Sequence, residues 1–298
     1  MKESYLYKKL PAGKVLCLTC SHNCVILPGR RGICGVRQNI DGKLYSLVYG
    51  KAIAEHIDPI EKKPLYHFLP HTFTYSIATV GCNFRCDWCQ NWQISQSPKL
   101  ENPIQGFELT PAEIVERAKQ TKCPSISYTY TEPTIFLEYA LDTMKLAHRR
   151  GLANIWVSNG YMSQQTLKLI LPYLDAINVD LKSFKENTYQ KYCGAKLKPI
   201  LENLKTIAKS KVHLEITTLV IPGINDSTKE IEQIAQFIAK ELGQDIPWHI
   251  SRFFPAYKMN ETAQTPLEIL KTAAAIGKRT GLQFIHLGNI FESLSRST

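Results

Sequence analysis

The chain runs to 298 residues, 44% hydrophobic and 21% charged, with 36 Lys and Arg against 26 Asp and Glu, a formal net charge of +10. Such a composition excludes a disordered chain, and no apolar run approaches the roughly 20 residues of a membrane span. Nine cysteines follow an opening segment without an apolar leader, so the expectation is a cytoplasmic protein whose clustered thiols bind metal, not a secreted disulfide scaffold.

Residues 1–70 read as an N-terminal module. Cys17, Cys20 and Cys24 lie close together, and Cys34 follows across a loop containing Pro28, Gly29, Gly32 and Gly35. This density suits a closed tetrahedral zinc site, with a second iron–sulfur cluster as the competing metal. Asp41-Gly42 marks a turn between extended segments. Residues 58–64, with two prolines and mixed charge, read as an ordered connector ahead of a module boundary near residue 70.

Over 71–298 the pattern alternates strand and helix. A strand at 73–80 leads straight into Cys82-Asn83-Phe84-Arg85-Cys86-Asp87-Trp88-Cys89. Three thiolates at spacings of four and three fit one loop around a single cubic iron–sulfur cluster, with one iron left open for a bound molecule. A zinc site with its fourth ligand elsewhere is the alternative on spacing. Thr110-Pro111-Ala112-Glu113 carries the N-cap, proline and glutamate of a helix start. Cys123 is expected to be a buried structural thiol. Strands follow at 125–130, 154–158, 176–181, 213–221, 248–254 and 283–287, with helices at 134–150, 163–173, 185–192, 199–209 and 228–242. Cys193 is given no role, and Thr265-Pro266-Leu267-Glu268 repeats the capping signature to open a last helix.

Six strand–helix units and a trailing strand imply a parallel sheet with helices outside it, a partly open, TIM-like (βα)6 barrel. Chemistry in such folds lies beyond the C-terminal strand ends. Thr131-Glu132-Pro133, Ser158-Asn159-Gly160, Asp180-Leu181-Lys182 and the segments 222–226 and 255–258 all fall there. Each alone reads as a satisfied turn or cap; five on one rim facing the cysteine loop make a site.

The three cysteines directly after a first strand, with Trp88 before the last, resemble the signature of radical S-adenosylmethionine (SAM) enzymes, and the strand-end motifs extend the resemblance from about residue 72 to 290. The most similar group is the relatives of pyruvate formate-lyase activating enzyme. Within it, residues 58–68, the Cys-Gln-Asn-Trp of 89–92 and the N-terminal cysteines resemble the radical SAM proteins of the AmmeMemoRadiSam system, over nearly the whole chain. The resemblance implies that Cys82, Cys86 and Cys89 ligate a [4Fe–4S] cluster whose open iron chelates the amino and carboxylate groups of SAM. One electron, from a donor such as ferredoxin or flavodoxin, then cleaves the sulfonium C–S bond to methionine and a 5′-deoxyadenosyl radical that abstracts hydrogen from the substrate. The chemistry lies at the cluster and SAM, and no separate catalytic side chain is assigned. By the same resemblance, Tyr130-Thr131-Glu132 takes a Gly-Gly-Glu position that receives the methionine amine. Ser158 and Asn159 match a Thr-Asn pair near ribose and carboxylate, Asp180 and Lys182 match an Asp-x-Lys, and Trp88 packs beside the adenine. Tyr257 stands where the activating enzyme carries a histidine near the adenine, and Val157 where it carries an acidic residue near a monovalent cation. AMMECR1-like and Memo-like proteins are the implied partners.

Two branches stay open within this chemistry: glycyl-radical activation of a partner enzyme, and direct modification of a small molecule, protein or nucleic acid. The rival from another class is a non-catalytic zinc-binding, nucleic-acid-binding protein, with zinc at both cysteine clusters and Trp92 and Tyr257 stacking on bases. It leaves the polar rim without a purpose. The positive charge does not choose, because it fits nucleic acid, an acidic protein, a phosphorylated ligand or a plainly basic solvated surface.

Overall fold

Short antiparallel strands open the computed structural model, which describes residues 1–100 and 103–290. These are β1 (Lys2–Glu3), β2 (Tyr7–Lys9), β3 (Val15–Cys17), β4 (Val25–Ile26), β5 (Arg37–Ile40), β6 (Lys43–Ser46) and β7 (Lys51–Ala52). They form two three-stranded sheets, β1-β6-β5 and β2-β3-β4. The β5–β6 hairpin turns at Asp41-Gly42 as expected, with both residues at positive φ (49° and 76°). That geometry matches the right-handed twist of the flanking strands.

The remaining strands are β8 (Ala54–Pro59), β9 (Phe73–Ala78), β10 (Phe107–Glu108), β11 (Ser125–Tyr128), β12 (Ala153–Ser158), β13 (Ala176–Asp180), β14 (His213–Val220), β15 (Trp248–Arg252) and β16 (Ile285–Gly288). β10 pairs with β7, and the others build one eight-stranded sheet in the order β16-β15-β14-β13-β12-β11-β9-β8. Seven strands, β9 to β16, run parallel in chain order without a reversal. Right-handed crossovers that never reverse place the crossover helices on one face, so the sheet curls into a barrel. β8 closes one edge antiparallel to β9 and is not paired with β16, which leaves the barrel open, as the sequence predicts. Residues 291–298, within the expected core range 71–298, lie outside the described residues.

The helices are α1 (Trp92–Ser95), α2 (Pro111–Gln120), α3 (Leu137–Arg149), α4 (Gln164–Ile170), α5 (Glu186–Thr188), α6 (Lys198–Ala208), α7 (Thr228–Phe237) and α8 (Leu267–Arg279). α2 starts on the expected capping box, with Glu113 N donating to Thr110 Oγ1 (3.2 Å) and Thr110 N to Glu113 Oε2 (2.7 Å). α8 does not. Thr265 is fully buried, donates to Val220 O (2.6 Å) and accepts from Phe253 N (3.1 Å), so it stitches the ends of β14 and β15 together and leaves the helix uncapped by a side chain.

Side chains alternate along the strands between two cores. Trp156 and Ile177 face the helices, while their neighbours Ile155 and Ala176 face inward and meet Ile60 and Leu65. Residues 60–69, which take in most of the connector expected at 58–64, therefore fill the N-terminal end of the barrel. Asn178 Nδ2 donates to Pro64 O (2.7 Å), and Glu215 accepts from Tyr66 N (3.1 Å) and His67 N (2.8 Å). The antiparallel sheets dock on the outside, across α3 and the loop after β12. Cys20 bridges Met162, Ser163 N donates to Thr19 O (3.1 Å), and Arg37 forms a buried bidentate pair with Glu138 (3.0 and 2.7 Å).

Candidate active site

Beyond β9 the chain crosses the C-terminal end of the barrel as the three-cysteine loop. Its backbone is held by a π-helical turn, Tyr189–Cys193, that follows α5: Arg85 N donates to Cys193 O (2.9 Å) and Asp87 N to Tyr192 O (3.2 Å). The loop after β15 closes on it from another side, with Lys258 N donating to Asp87 O (3.0 Å) and Lys258 Nζ paired with Asp87 Oδ1 (3.1 Å). Cys82 Sγ accepts from Phe84 N (3.3 Å), and Cys89 Sγ shares a hydrogen bond with Ser95 Oγ (3.3 Å). Cys86 is buried against Cys193, and that contact, then burial, push its thiol well above the usual range. Lys182 reaches the same spot, paired with Asp180 Oδ2 (2.8 Å). Burial opposes its charge, but Asp180 and the Cys86 and Cys193 sulfurs outweigh burial and hold the ammonium well above its ordinary pKa. The sequence assigned Cys193 nothing; its place behind Cys86 arises from a turn more than one hundred residues away in the chain.

Glu132 is 1% exposed and already accepts four hydrogen bonds. Oε1 takes Thr134 N (3.0 Å), Thr134 Oγ1 (2.6 Å) and Ser158 Oγ (2.9 Å), and Oε2 takes Asn159 N (2.8 Å). Burial raises its pKa against these bonds. Asn159 Nδ2 in turn donates to Asn83 Oδ1 (2.7 Å), and Thr131 Oγ1 to Thr79 O (2.9 Å). The expected SAM contacts Glu132, Ser158 and Asn159 thus form a closed knot that fixes the loops after β11 and β12 to the cysteine loop.

Trp88, expected beside the adenine, is 4% exposed and packs on Tyr192 with ring centroids 5.9 Å apart. The aromatic surface at the rim belongs to Trp92 and Tyr257, stacked at 5.2 Å and 15°. Tyr130, at the position the resemblance gives to glycine, has φ +62°. Its ring is clamped: Lys63 Nζ lies 4.5 Å from the centroid, and its hydroxyl donates to Asp58. Asp58 also accepts from Lys62 (2.8 Å) and Lys63 (2.6 Å). Burial opposes the Asp58 carboxylate, yet these three donors hold its pKa well below the usual range.

Cys17, Cys20, Cys24 and Cys34 line one small cavity with His22, Arg37 and Asn83. All four are free thiols. Burial pushes Cys24 up to about 11 and holds Cys20 well above the usual thiol range, with the neighbouring thiols adding to both. Among the described residues, no group of three or more His, Cys, Asp or Glu side chains is arranged as a site for a single ion. Protonated thiols pack as small apolar groups, and a bound cation is what draws their sulfurs together. The buried Arg37 Nε and Asn83 Nδ2 have no partner there among the described residues. They are donors suited to thiolates. The two cysteine sites also abut: His22 Nε2 meets Asn83 O at 2.8 Å, and a Cβ on Gly81 would lie 3.0 Å from Cys34 O.

An open parallel barrel with a cysteine loop at the C-terminal end of its first parallel strand defines a barrel enzyme whose chemistry is built on that rim. The chain belongs to the radical SAM superfamily, whose family model matches residues 76–238. It is 45% identical over 97% of its length to an uncharacterized protein of Methanocaldococcus jannaschii, covering 86% of that protein. It is 24% identical over 57% of its length to the pyruvate formate-lyase-activating enzyme of Clostridium pasteurianum, covering 72% of it. The fold matches a radical SAM methyltransferase from Sphaerobacter thermophilus with a TM-score of 0.56 at 14% identity, over 74% of this chain and 67% of the other. The family implies a [4Fe–4S] cluster and SAM as cofactors, and it replaces the non-catalytic zinc-binding reading with an enzyme. No helix among the described residues is long and apolar enough to cross a membrane.

Proposed function

We propose that Cys82, Cys86 and Cys89 hold the [4Fe–4S] cluster and that the chain reductively cleaves SAM to abstract hydrogen from a substrate at the barrel mouth. The carrying observation is the convergence of the three-cysteine loop, Lys182 and the Glu132–Asn159 knot at one rim. The donor set fits: three sulfurs on a single loop, with a buried ammonium to offset thiolate charge. Held there, the cluster would supply the one electron that cleavage of the SAM sulfonium needs. The chain's own residues orient SAM, through the backbone of 130–131 for its amine, Asp180 and Lys182 toward its ribose and carboxylate, and the Trp92–Tyr257 stack for its adenine. Lys182 also favours the reduced, more negative cluster.

The N-terminal module is a zinc site of Cys17, Cys20, Cys24 and Cys34, with Arg37 offsetting the charge of four thiolates. Its last segment, β8 and residues 60–69, is built into the barrel. Tyr130, held by Asp58 and Lys63, favours the AmmeMemoRadiSam branch, with AMMECR1-like and Memo-like partners, over a glycyl-radical activase that uses glycine there. Anaerobic reconstitution tests the reading. The expected product is a brown protein that yields 5′-deoxyadenosine and methionine with SAM and dithionite, and a Cys86→Ala variant that yields neither. A colourless protein with zinc at both cysteine sites overturns it. Zinc lost, and iron kept, in a Cys17→Ala/Cys20→Ala variant assigns the N-terminal metal; loss of iron alone assigns an auxiliary cluster.

A further inference from the structure

Three arginines line one cleft beside the cysteine loop. Arg85 projects from the loop between Cys82 and Cys86, and Arg30 and Arg31 come from the N-terminal module just ahead of Cys34. All three are exposed, and among the described residues none has an ion pair or a side-chain hydrogen bond, whereas Arg37 and Arg117 are both paired. Among the described residues no Asp or Glu lines the cleft, and Ile33, 45% exposed, adds an apolar side chain to its lining. The backbone that carries these charges is fixed. Arg30 N donates to Leu27 O (3.0 Å), Asn39 N to Arg30 O (3.0 Å), and Arg31 bridges Gln38.

We propose that this cleft is the docking face for an acidic one-electron carrier protein of the flavodoxin or ferredoxin type that reduces the cluster; the proposal rests on the cluster assignment above. Three unpaired guanidiniums and an exposed apolar side chain in one cleft suit a small, transient, charge-steered interface. None of the lining residues belongs to the strand-end loops after β11 to β15, where a substrate has to meet SAM. A reductant needs only close approach to the cluster, and Arg85 is part of the loop that holds it. Nucleic acid is disfavoured because among the described residues no aromatic ring lines the cleft for bases to stack on. In the step itself, the reduced redox centre of the carrier is oxidised by one electron and the cluster would be reduced by one, with no bond made or broken.

The test compares the wild-type holoenzyme with Arg30→Glu/Arg31→Glu, two residues that hold no cofactor in the assignment above. Oxidised flavodoxin is titrated onto each by calorimetry at low and high salt, and SAM cleavage is driven by reduced flavodoxin or by dithionite. The expected result is an affinity that falls with salt in the wild type and about tenfold or more in the variant. Flavodoxin-driven cleavage falls in parallel, and the dithionite-driven rate stays within about twofold. Equal flavodoxin affinity in both proteins overturns the proposal. So does an equal loss of the dithionite rate, or binding of single-stranded DNA in place of flavodoxin. A wild type inert with dithionite refutes the cluster chemistry instead, and the calorimetric comparison still decides the docking face.

Discussion

Arg37 shows how much one residue holds at this interface. Its guanidinium is 2% exposed, bidentate to the fully buried Glu138, bonded to Ser4 Oγ (2.7 Å), and borders the four-cysteine cavity. Removing one partner of a buried pair strands the other charge. Arg37→Met is expected to cost about 3–5 kcal/mol in urea denaturation, and Arg37→Met/Glu138→Leu to recover most of that, because two apolar side chains leave no charge uncompensated. An equal loss in both variants refutes the reading. Tyr130 is the second such residue. The left-handed region costs a non-glycine residue about 1 kcal/mol or more, and the contacts of its ring and hydroxyl with Lys63 and Asp58 offset that. Tyr130→Phe keeps the ring and removes the hydroxyl, so stability is expected to fall by about 1–2 kcal/mol. SAM affinity, measured by equilibrium dialysis on the loaded protein, should weaken severalfold at unchanged iron content; unaltered SAM binding would separate Tyr130 from the cofactor site.

At the scale of elements, Thr110 and Thr265 begin the same four-residue signature and do different things. Thr110 is an exposed N-cap, and Thr110→Ala is expected to cost about 1 kcal/mol. Thr265→Val leaves Val220 O and Phe253 N without their buried partner and is expected to cost about 2–3 kcal/mol by the same denaturation assay. Local pattern was enough for α2, since a capping box is satisfied within four residues. It was not enough at Thr265, whose partners come from the ends of two other strands, Val220 of β14 and Phe253 just after β15. The same division runs through the site. The cysteine loop, the parallel strands and the rim were legible because spacing and periodicity are local. The knot at Glu132, the turn behind Cys86 and the clamp on Tyr130 were not, because each joins residues 26 to more than 100 positions apart. Gly81 marks where this matters most. It sits at φ +98°, and a Cβ there would lie 2.7 Å from Val36 Cγ1 as well as near Cys34 O. Gly81→Ala should therefore push the two cysteine sites apart, and is expected to lower both iron and zinc content after reconstitution. Loss of neither metal would mean the interface yields without effect on the sites.

For the whole molecule, the open barrel raises the question of what seals its N-terminal end, and the answer makes stability depend on pH. Glu215 accepts the backbone of residues 66 and 67 together with His213 Nε2 (2.8 Å) and His249 Nε2 (2.5 Å). Burial opposes its charge, but these donors outweigh burial and hold its carboxyl well below the usual range. His286 stacks on His249 at 5.0 Å and meets His67 Nε2 at 2.8 Å. Burial, then the His249 and His67 charges, lower its pKa from 6.5 to about 4. Folding thus keeps His286 neutral between about 6.5 and 4, where the unfolded chain takes up a proton, so stability falls as the pH drops through that window. The Glu215 contribution is present above the ordinary carboxylate pKa and is lost only below it. Acidification therefore acts in two stages, the histidine first. His286→Gln is expected to flatten the first stage by about 1 kcal/mol, a figure discounted for the solvent screening of a half-buried ring, and to leave the second in place. Urea midpoints of both proteins, taken at matched metal content from pH 7 to pH 4, make the comparison, and parallel curves would show that His286 does not titrate with folding. The strap at 60–69 that sets this dependence also carries Lys62 and Lys63, the partners of Asp58, so acid that loosens the barrel floor should reach Tyr130 at the rim.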